Sequence, residues 1–215
     1  VAGVITAFRR SALHAVGYWS PEKLTEDVDI SWKLQMADWE VRFEPRALCW
    51  ILMPETLRGL WKQRLRWSMG GTQVLLDYWP QLLSLRRARL WPLCIEYALS
   101  ILWACLFALL AVYRVTDLVL YRIDLQSAPI LLLGWAGLLI GTTCLLQMML
   151  SLILDRPYDH GLLRNYFWTI WYPIIYWVIT AATSVVALPR ILLRDTGKRA
   201  RWTSPDRGIK PDASH

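Results

Sequence analysis

Cysteine is scarce in this chain, and its spacing carries no chemistry. The four cysteines, Cys49, Cys94, Cys105 and Cys144, form no CxxC pair and no Cys/His metal spacing. Three of them lie inside apolar segments, where a thiol acts as a small hydrophobe. Neither a disulfide framework nor a cysteine metal site is therefore expected. An aromatic-basic module for nucleic acid is also missing. Net charge is +7, but the cations gather in Lys62–Arg66, Arg86–Arg89 and Arg190–Lys210, beside apolar segments. That placement points to anionic lipid headgroups rather than nucleic acid. No signal peptide is expected, and the sequence does not open on methionine. The opening Val1-Ala2-Gly3 falls mid-pattern, so the chain is expected to be the latter part of a longer protein.

Apolar surface, by contrast, is abundant. Hydrophobic residues make up 55% of the chain and the mean hydropathy is +0.29, which excludes a plain soluble globule. The excess lies after residue 90, whereas residues 1–90 have ordinary mixed polarity. Tryptophan, at 14 residues, is far above ordinary usage, as expected where amphipathic rings line a membrane interface. Three segments reach spanning length: Trp91–Tyr113, Ile130–Leu154 and Phe167–Leu188. At about 1.5 Å per residue each can cross roughly 30 Å of hydrocarbon. Aromatic residues mark their ends at Trp91, Tyr113, Tyr166, Trp168 and Trp171. The organisation expected is a soluble region over residues 1–53, amphipathic interfacial helices over 54–90, a membrane region over 91–188 and a basic tail over 189–215.

Orientation raises a conflict. Arg86, Arg87 and Arg89 place residues 1–90 on the cytoplasmic side under the positive-inside rule. Three crossings then leave the tail outside, although Arg190, Arg194, Lys198, Arg199 and Arg201 make it strongly basic. Either the tail departs from the rule or one segment re-enters without crossing.

Within the first region, Ser11 is expected to cap a short helix over Ala12–Val16, with Gly17 ending it in the left-handed conformation. A helix is expected from Thr25 to about Trp39, with Val28, Trp32, Met36 and Trp39 sharing a buried face. Glu40–Phe43 alternates like a short strand, ended by Pro45. Pro54 opens a further helix to about Met69, stopped by Gly70-Gly71. Its apolar stripe is Leu57, Trp61, Leu65 and Met69, and Thr72–Leu85 forms a second amphipathic stretch.

Two motifs carry possible chemistry. Thr25-Glu26-Asp27-Val28-Asp29 places acids in the first turn of a helix. Such acids complement the helix dipole, by about 0.3–1 kcal/mol each. A carboxylate held there beside a cleft also suits proton abstraction from a sugar hydroxyl, a poor nucleophile, with a gain of roughly 10²–10⁴-fold. Gln63, Arg66 and Trp67 fall at i, i+3 and i+4 and share one helical face. They fit an interfacial helix with a snorkelling cation and a Trp anchor. They also suit a site where Arg66 neutralises a departing diphosphate, Trp67 stacks on a pyranose and Gln63 bonds its hydroxyls. Arg64 is expected to point elsewhere, to lipid or the surface. Glu96, inside the first span, faces either protein and water or the nearby interface.

The runs GVITAFRRSAL (Gly3–Leu13), Val16-Gly17-Tyr18-Trp19, TEDVDISWKL (Thr25–Leu34) and PETLRGLWKQRLRWSMGG (Pro54–Gly71) occur in this order. Together they resemble family 2 processive glycosyltransferases, the group of cellulose, chitin, hyaluronan and poly-β-1,6-N-acetylglucosamine synthases. The phrasing, with the ending Trp202–Ile209, is nearest the last of these. The resemblance implies the C-terminal part of an α/β domain of the glycosyltransferase A type, then interfacial amphipathic helices and about three membrane spans. It implies Asp27 as catalytic base, with Glu26 and Thr25 beside it near the acceptor. Gln63, Arg66 and Trp67 would match the QxxRW motif, and Gly3 the element lining the cleft. The substrates implied are a UDP-sugar donor, most simply UDP-N-acetylglucosamine, and a growing polysaccharide acceptor. The aspartates that hold uridine and Mg²⁺ (or Mn²⁺) in this family lie upstream and have no counterpart here. The resemblance further implies a bacterial inner-membrane location, a small membrane subunit and activation by cyclic di-GMP, with no nucleic acid. Other readings are a hyaluronan, chitin-like or cellulose synthase, a non-processive lipid-linked glycosyltransferase, and a membrane scaffold without enzymatic activity.

Overall fold

The computed structural model describes residues 3–121, 135–159, 161–168, 172–195 and 198–201. Six α-helices account for most of their regular structure: α1 (Arg10–Ala15), α2 (Glu26–Met36), α3 (Leu57–Leu82), α4 (Trp91–Tyr121), α5 (Trp135–Asp155) and α6 (Tyr172–Leu192). Short 3₁₀ turns cover Leu85–Leu90 and Leu162–Asn165. The chain divides into two compact units, one of Val1–Leu106 with Thr180–His215 and the other of Phe107–Ile179.

In the first unit, α1 and α2 both end in paired backbone bonds from a left-handed residue. Gly17, at φ +72°, donates its N–H to the His14 carbonyl, and Tyr18 donates to Leu13. That is the stop expected at Gly17. The helix itself starts two residues earlier than expected, at Arg10 with Arg9 as cap, so Ser11 lies within it. At the end of α2, Asp38 at φ +61° takes the place glycine usually fills. Asp38 N–H bonds to Gln35 and Trp39 N–H to Leu34.

Two apolar clusters grip α2 from different sides. Trp32 packs with Val74, Leu75, Leu82, Leu90 and Cys94, joined by Val28 and Met36. Ile30 and Leu34 pack with Ala12, and Trp39 joins this second cluster. The expected single face of Val28, Trp32, Met36 and Trp39 is thus split: the left-handed turn at Asp38 sends Trp39 back toward Leu34.

α3 is a longer helix than the Gly70-Gly71 pair predicts. Thr56, two residues after Pro54, caps it by accepting the Gly59 N–H at 3.0 Å. The helix then runs through Gly70-Gly71 to Leu82. A Cβ at Gly70 would sit 2.4 Å from the Thr25 side chain, and one at Gly71 would sit 2.0 Å from the Tyr97 hydroxyl oxygen. The glycines are close-approach points for α2 and α4, and packing offsets their poor helix propensity. No strand occurs among the described residues. Residues 40–42 line a cavity together with residues 6–9, but no ladder forms there among the described residues, and a strand exists only as part of one. Phe43 and Trp50 in this stretch are 89% and 79% exposed.

Two described helices are long and apolar enough to cross a membrane, Leu85–Asp117 and Ile175–Leu192. Only 11% and 22% of their apolar windows are buried inside the protein, unlike the core helix of a soluble protein. A shorter apolar helix covers Gly141–Asp155. Residues 130–134 of the middle expected span, residues 169–171 of the last and the Trp202–Ile209 ending lie outside the described residues. In the first unit, α6 buries the small residues Ala181, Thr183 and Ala187, and Thr183 meets Ser68 of α3 through their hydroxyls at 3.4 Å. Small residues are what let apolar helices pack closely. In the second unit, α5 exposes Leu146, Leu150 and Leu154, and Tyr172 stacks on Tyr176 at 5.1 Å.

Candidate active site

The N-terminus of α2 places the acidic motif against α3. Thr25 precedes the helix but does not cap it with its side chain. It is 4% exposed, pressed against Gly70, and its Oγ1 is buried without a hydrogen-bond partner among the described residues. Glu26 is exposed and Asp27 half-buried. Asp27 Oδ1 accepts the Val28 N–H at 2.9 Å, and Oδ2 accepts the Gly3 N–H at 3.0 Å. A Cβ at Gly3 would come within 3.2 Å of that Oδ2, so the bare glycine backbone allows the approach. Each carboxylate oxygen keeps a further lone pair for a proton.

Arg66 supplies the opposing charge. Its Nη1 donates to the Leu24 carbonyl at 3.1 Å, tying α3 to the residue before Thr25. Burial lowers its pKa from the ordinary value, while the Glu26 and Asp27 carboxylates oppose that shift. The guanidinium stays charged and lies within electrostatic reach of both acids. Gln63 is half-buried, with Oε1 lacking a partner among the described residues. Trp67 is 41% exposed and carries Arg64, whose guanidinium lies 4.5 Å from its ring centroid. Arg64 is therefore a half-buried stacking partner, not the outlying surface residue expected, because i and i+3 on a helix are neighbours.

Further residues join this region that the motifs alone do not reveal. Gln73, 7% exposed, accepts the Leu24 N–H and donates to the Glu22 carbonyl, both at 3.3 Å. Lys23 pairs with Asp77 and lies over the Tyr78 ring at 5.3 Å. Tyr78 donates to Oδ1 of the fully buried Asp29 at 2.7 Å, and Lys33 lies 3.6 Å from Asp29 Oδ2. Burial first, then the Asp29 carboxylate, pushes the Tyr78 phenol up from its ordinary value, so it remains a donor. Arg66, Gln73 and Asp77 follow a helical spacing of seven and four. That periodicity is readable only if α3 is carried through Gly70-Gly71.

Among the described residues no group of three or more His, Cys, Asp or Glu is placed to hold a metal ion. The described residues do not by themselves fit a divalent cation.

The start of α2 thus holds a carboxylate bonded by two backbone amides, and α3 brings an arginine within electrostatic reach of it and carries an exposed indole. The profile of the glycosyl transferase family group 2 matches residues 1–188, and the chain belongs to that family. It is 38% identical over 209 residues to a poly-β-1,6-N-acetyl-D-glucosamine synthase of Staphylococcus epidermidis strain RP62A, covering 97% of this chain and 50% of the relative. A synthase of the same name from Staphylococcus aureus strain COL is 38% identical over 208 residues, covering 97% and 50%. The chain thus spans about half the length of the curated relatives it matches. No solved structure matches it.

Proposed function

We propose that this chain is the acceptor-side and membrane portion of a processive glycosyltransferase that builds poly-β-1,6-N-acetylglucosamine from UDP-N-acetylglucosamine. The observation that carries the reading is the junction of the two motifs. Asp27 is anchored by Gly3 and Val28, and Arg66 is bound to the loop before it at Leu24. The names of the relatives supply the sugar and linkage.

In the reaction, the primary hydroxyl of the terminal acceptor sugar attacks the anomeric carbon of the donor. The new C–O bond forms as the bond to the diphosphate breaks, with its electron pair leaving on UDP and inversion at the anomeric carbon. Asp27 takes the hydroxyl proton, which is the task a general base performs for a weak nucleophile. Arg66, held in a desolvated position, opposes the negative charge gathering on the diphosphate. Trp67 offers its exposed ring to the acceptor sugar, with Gln63 on the same face of α3, while Thr25, buried against Gly70, serves the placement of the acidic motif rather than the sugar. Glu26 lies beside the acceptor, and Gly3 lets the backbone approach the base. Donor binding and its Mg²⁺ or Mn²⁺ belong to the upstream part of the protein. The apolar helices cross the bacterial inner membrane with this site on the cytoplasmic face and conduct the polymer outward. A small membrane subunit and cyclic di-GMP complete the set of partners.

The test uses membranes carrying the full-length protein, labelled UDP-N-acetylglucosamine and Mg²⁺. High-molecular-weight product is expected from the single nucleotide sugar, reduced by about 10²–10⁴-fold in Asp27→Asn. A requirement for a second nucleotide sugar would make the enzyme hyaluronan-like. Wild-type synthesis by Asp27→Asn would leave Asp27 as a helix-dipole residue only.

A further inference from the structure

The segment after α6 returns to the loop that precedes the acidic motif. Arg194, half-buried just beyond the helix end, is the centre of that return. Its Nη1 lies 3.4 Å from Gln73 Oε1. Its Nη2 donates at 3.2 Å to the Glu22 carbonyl, 172 residues earlier in the chain, and at 3.3 Å to the Lys198 carbonyl. The Ala200 N–H then donates to the Pro21 carbonyl at 2.9 Å. Gln73 and Arg66 bond the same loop from α3. Four of its backbone groups are thus held from outside: the carbonyls of Pro21, Glu22 and Leu24 and the amide of Leu24. Thr25, Glu26 and Asp27 follow directly.

We propose that Arg194 is a positioning residue: with the segment to Ala200 it clamps the Pro21–Leu24 loop and so sets where Asp27 stands relative to Arg66. The inference rests on the reading of Asp27 and Arg66 given above. One planar guanidinium joins α3, the loop and its own downstream chain, a span that a lysine ammonium does not match. An error of about 1 Å in a reacting group costs about 10²-fold in rate, so a loop held at four points matters to catalysis without touching substrate. A topological consequence follows. A segment hydrogen-bonded to the loop before Thr25 lies on the same side of the bilayer as the acidic motif, so the chain between α3 and Arg194 crosses an even number of times. The basic tail then obeys the positive-inside rule.

Two measurements on the full-length protein in membranes test the clamp. The first does not depend on activity. In a Cys49→Ser background, Pro21→Cys with Ala200→Cys is treated with a short thiol crosslinker, beside Asp38→Cys with Ala200→Cys as the remote pair. The first pair is expected to link at least about tenfold faster, and Arg194→Gln to remove that advantage. The second is synthesis from UDP-N-acetylglucosamine. Arg194→Gln is expected to lower kcat about tenfold with KM within about twofold, and Arg194→Lys to recover less than half of the loss. If Arg194→Gln does not accumulate in membranes, Arg194→Lys is held to the same two criteria. Equal linking of the two pairs, linking indifferent to Arg194, or unchanged kcat in the variant each overturns the clamp. If wild-type membranes make no polymer while the link forms and depends on Arg194, the assignment of function fails and the loop contact alone survives.

Discussion

Gly70→Ala isolates the contact that brings the acidic motif onto α3. The added Cβ would lie 2.4 Å from both Thr25 Cγ2 and Oγ1 and 2.8 Å from Thr25 Cβ. A threonine side chain has one stiff torsion and cannot swing clear, so α2 must move. Overpacking of this kind costs about 1–3 kcal/mol. Alanine contributes about 1 kcal/mol of helix propensity in the opposite direction. The net expectation is a loss of about 0–2 kcal/mol, or a Tm lower by about 2–4 °C for each kcal/mol. Activity should suffer more than stability, because the displaced element carries Asp27 while α3 carries Arg66. Thermal unfolding of the purified full-length protein in detergent and polymer synthesis in membranes are the assays. Thr25→Ala in the same chain removes Cγ2 and Oγ1, so the double variant should recover stability relative to the sum of the singles, as coupled neighbours do. A Gly70→Ala protein that is more stable and fully active, or strict additivity with Thr25→Ala, would refute the close-contact argument.

Two other outcomes follow from the same region. Tyr78→Phe leaves the buried Asp29 with one partner fewer and is expected to cost about 1–3 kcal/mol, read by unfolding at neutral pH. The folded phenol has its pKa raised by burial and Asp29. Its contribution to stability is therefore complete below the ordinary tyrosine value of 10.0 and declines as pH rises beyond it. The wild type should destabilise more steeply than Tyr78→Phe above about pH 10; identical alkaline profiles would count against the bond. Asp38→Gly relieves a non-glycine residue held at φ +61° and should raise stability by about 0.5–1 kcal/mol, with polymer synthesis unchanged. A lower Tm would mean that Asp38 makes a compensating contact.

The short-range features were legible in the residues: the left-handed stop at Gly17, the acidic first turn of α2, the helical face of Gln63, Arg66 and Trp67, and the apolar lengths of α4 and α6. Each depends on neighbours within a few positions, where capping, dipole and periodicity operate. What pairs across the fold was not legible. Gly70-Gly71 reads locally as a helix stop, and only the closeness of Thr25 and Tyr97 turns it into a packing site. That one misreading hid Gln73 and Asp77, since their common face with Arg66 exists only on an unbroken helix. Glu40–Phe43 alternates as a strand should, but alternation supplies no ladder partner. By itself the sequence determined which residues carry charge, aromatic faces and membrane length. Tertiary structure alone decided that Asp27 meets Gly3, that Arg66 holds Leu24 and that Arg194 returns to Glu22, because hydrogen bonds across 24, 42 and 172 residues form only after packed helices have brought their partners within reach.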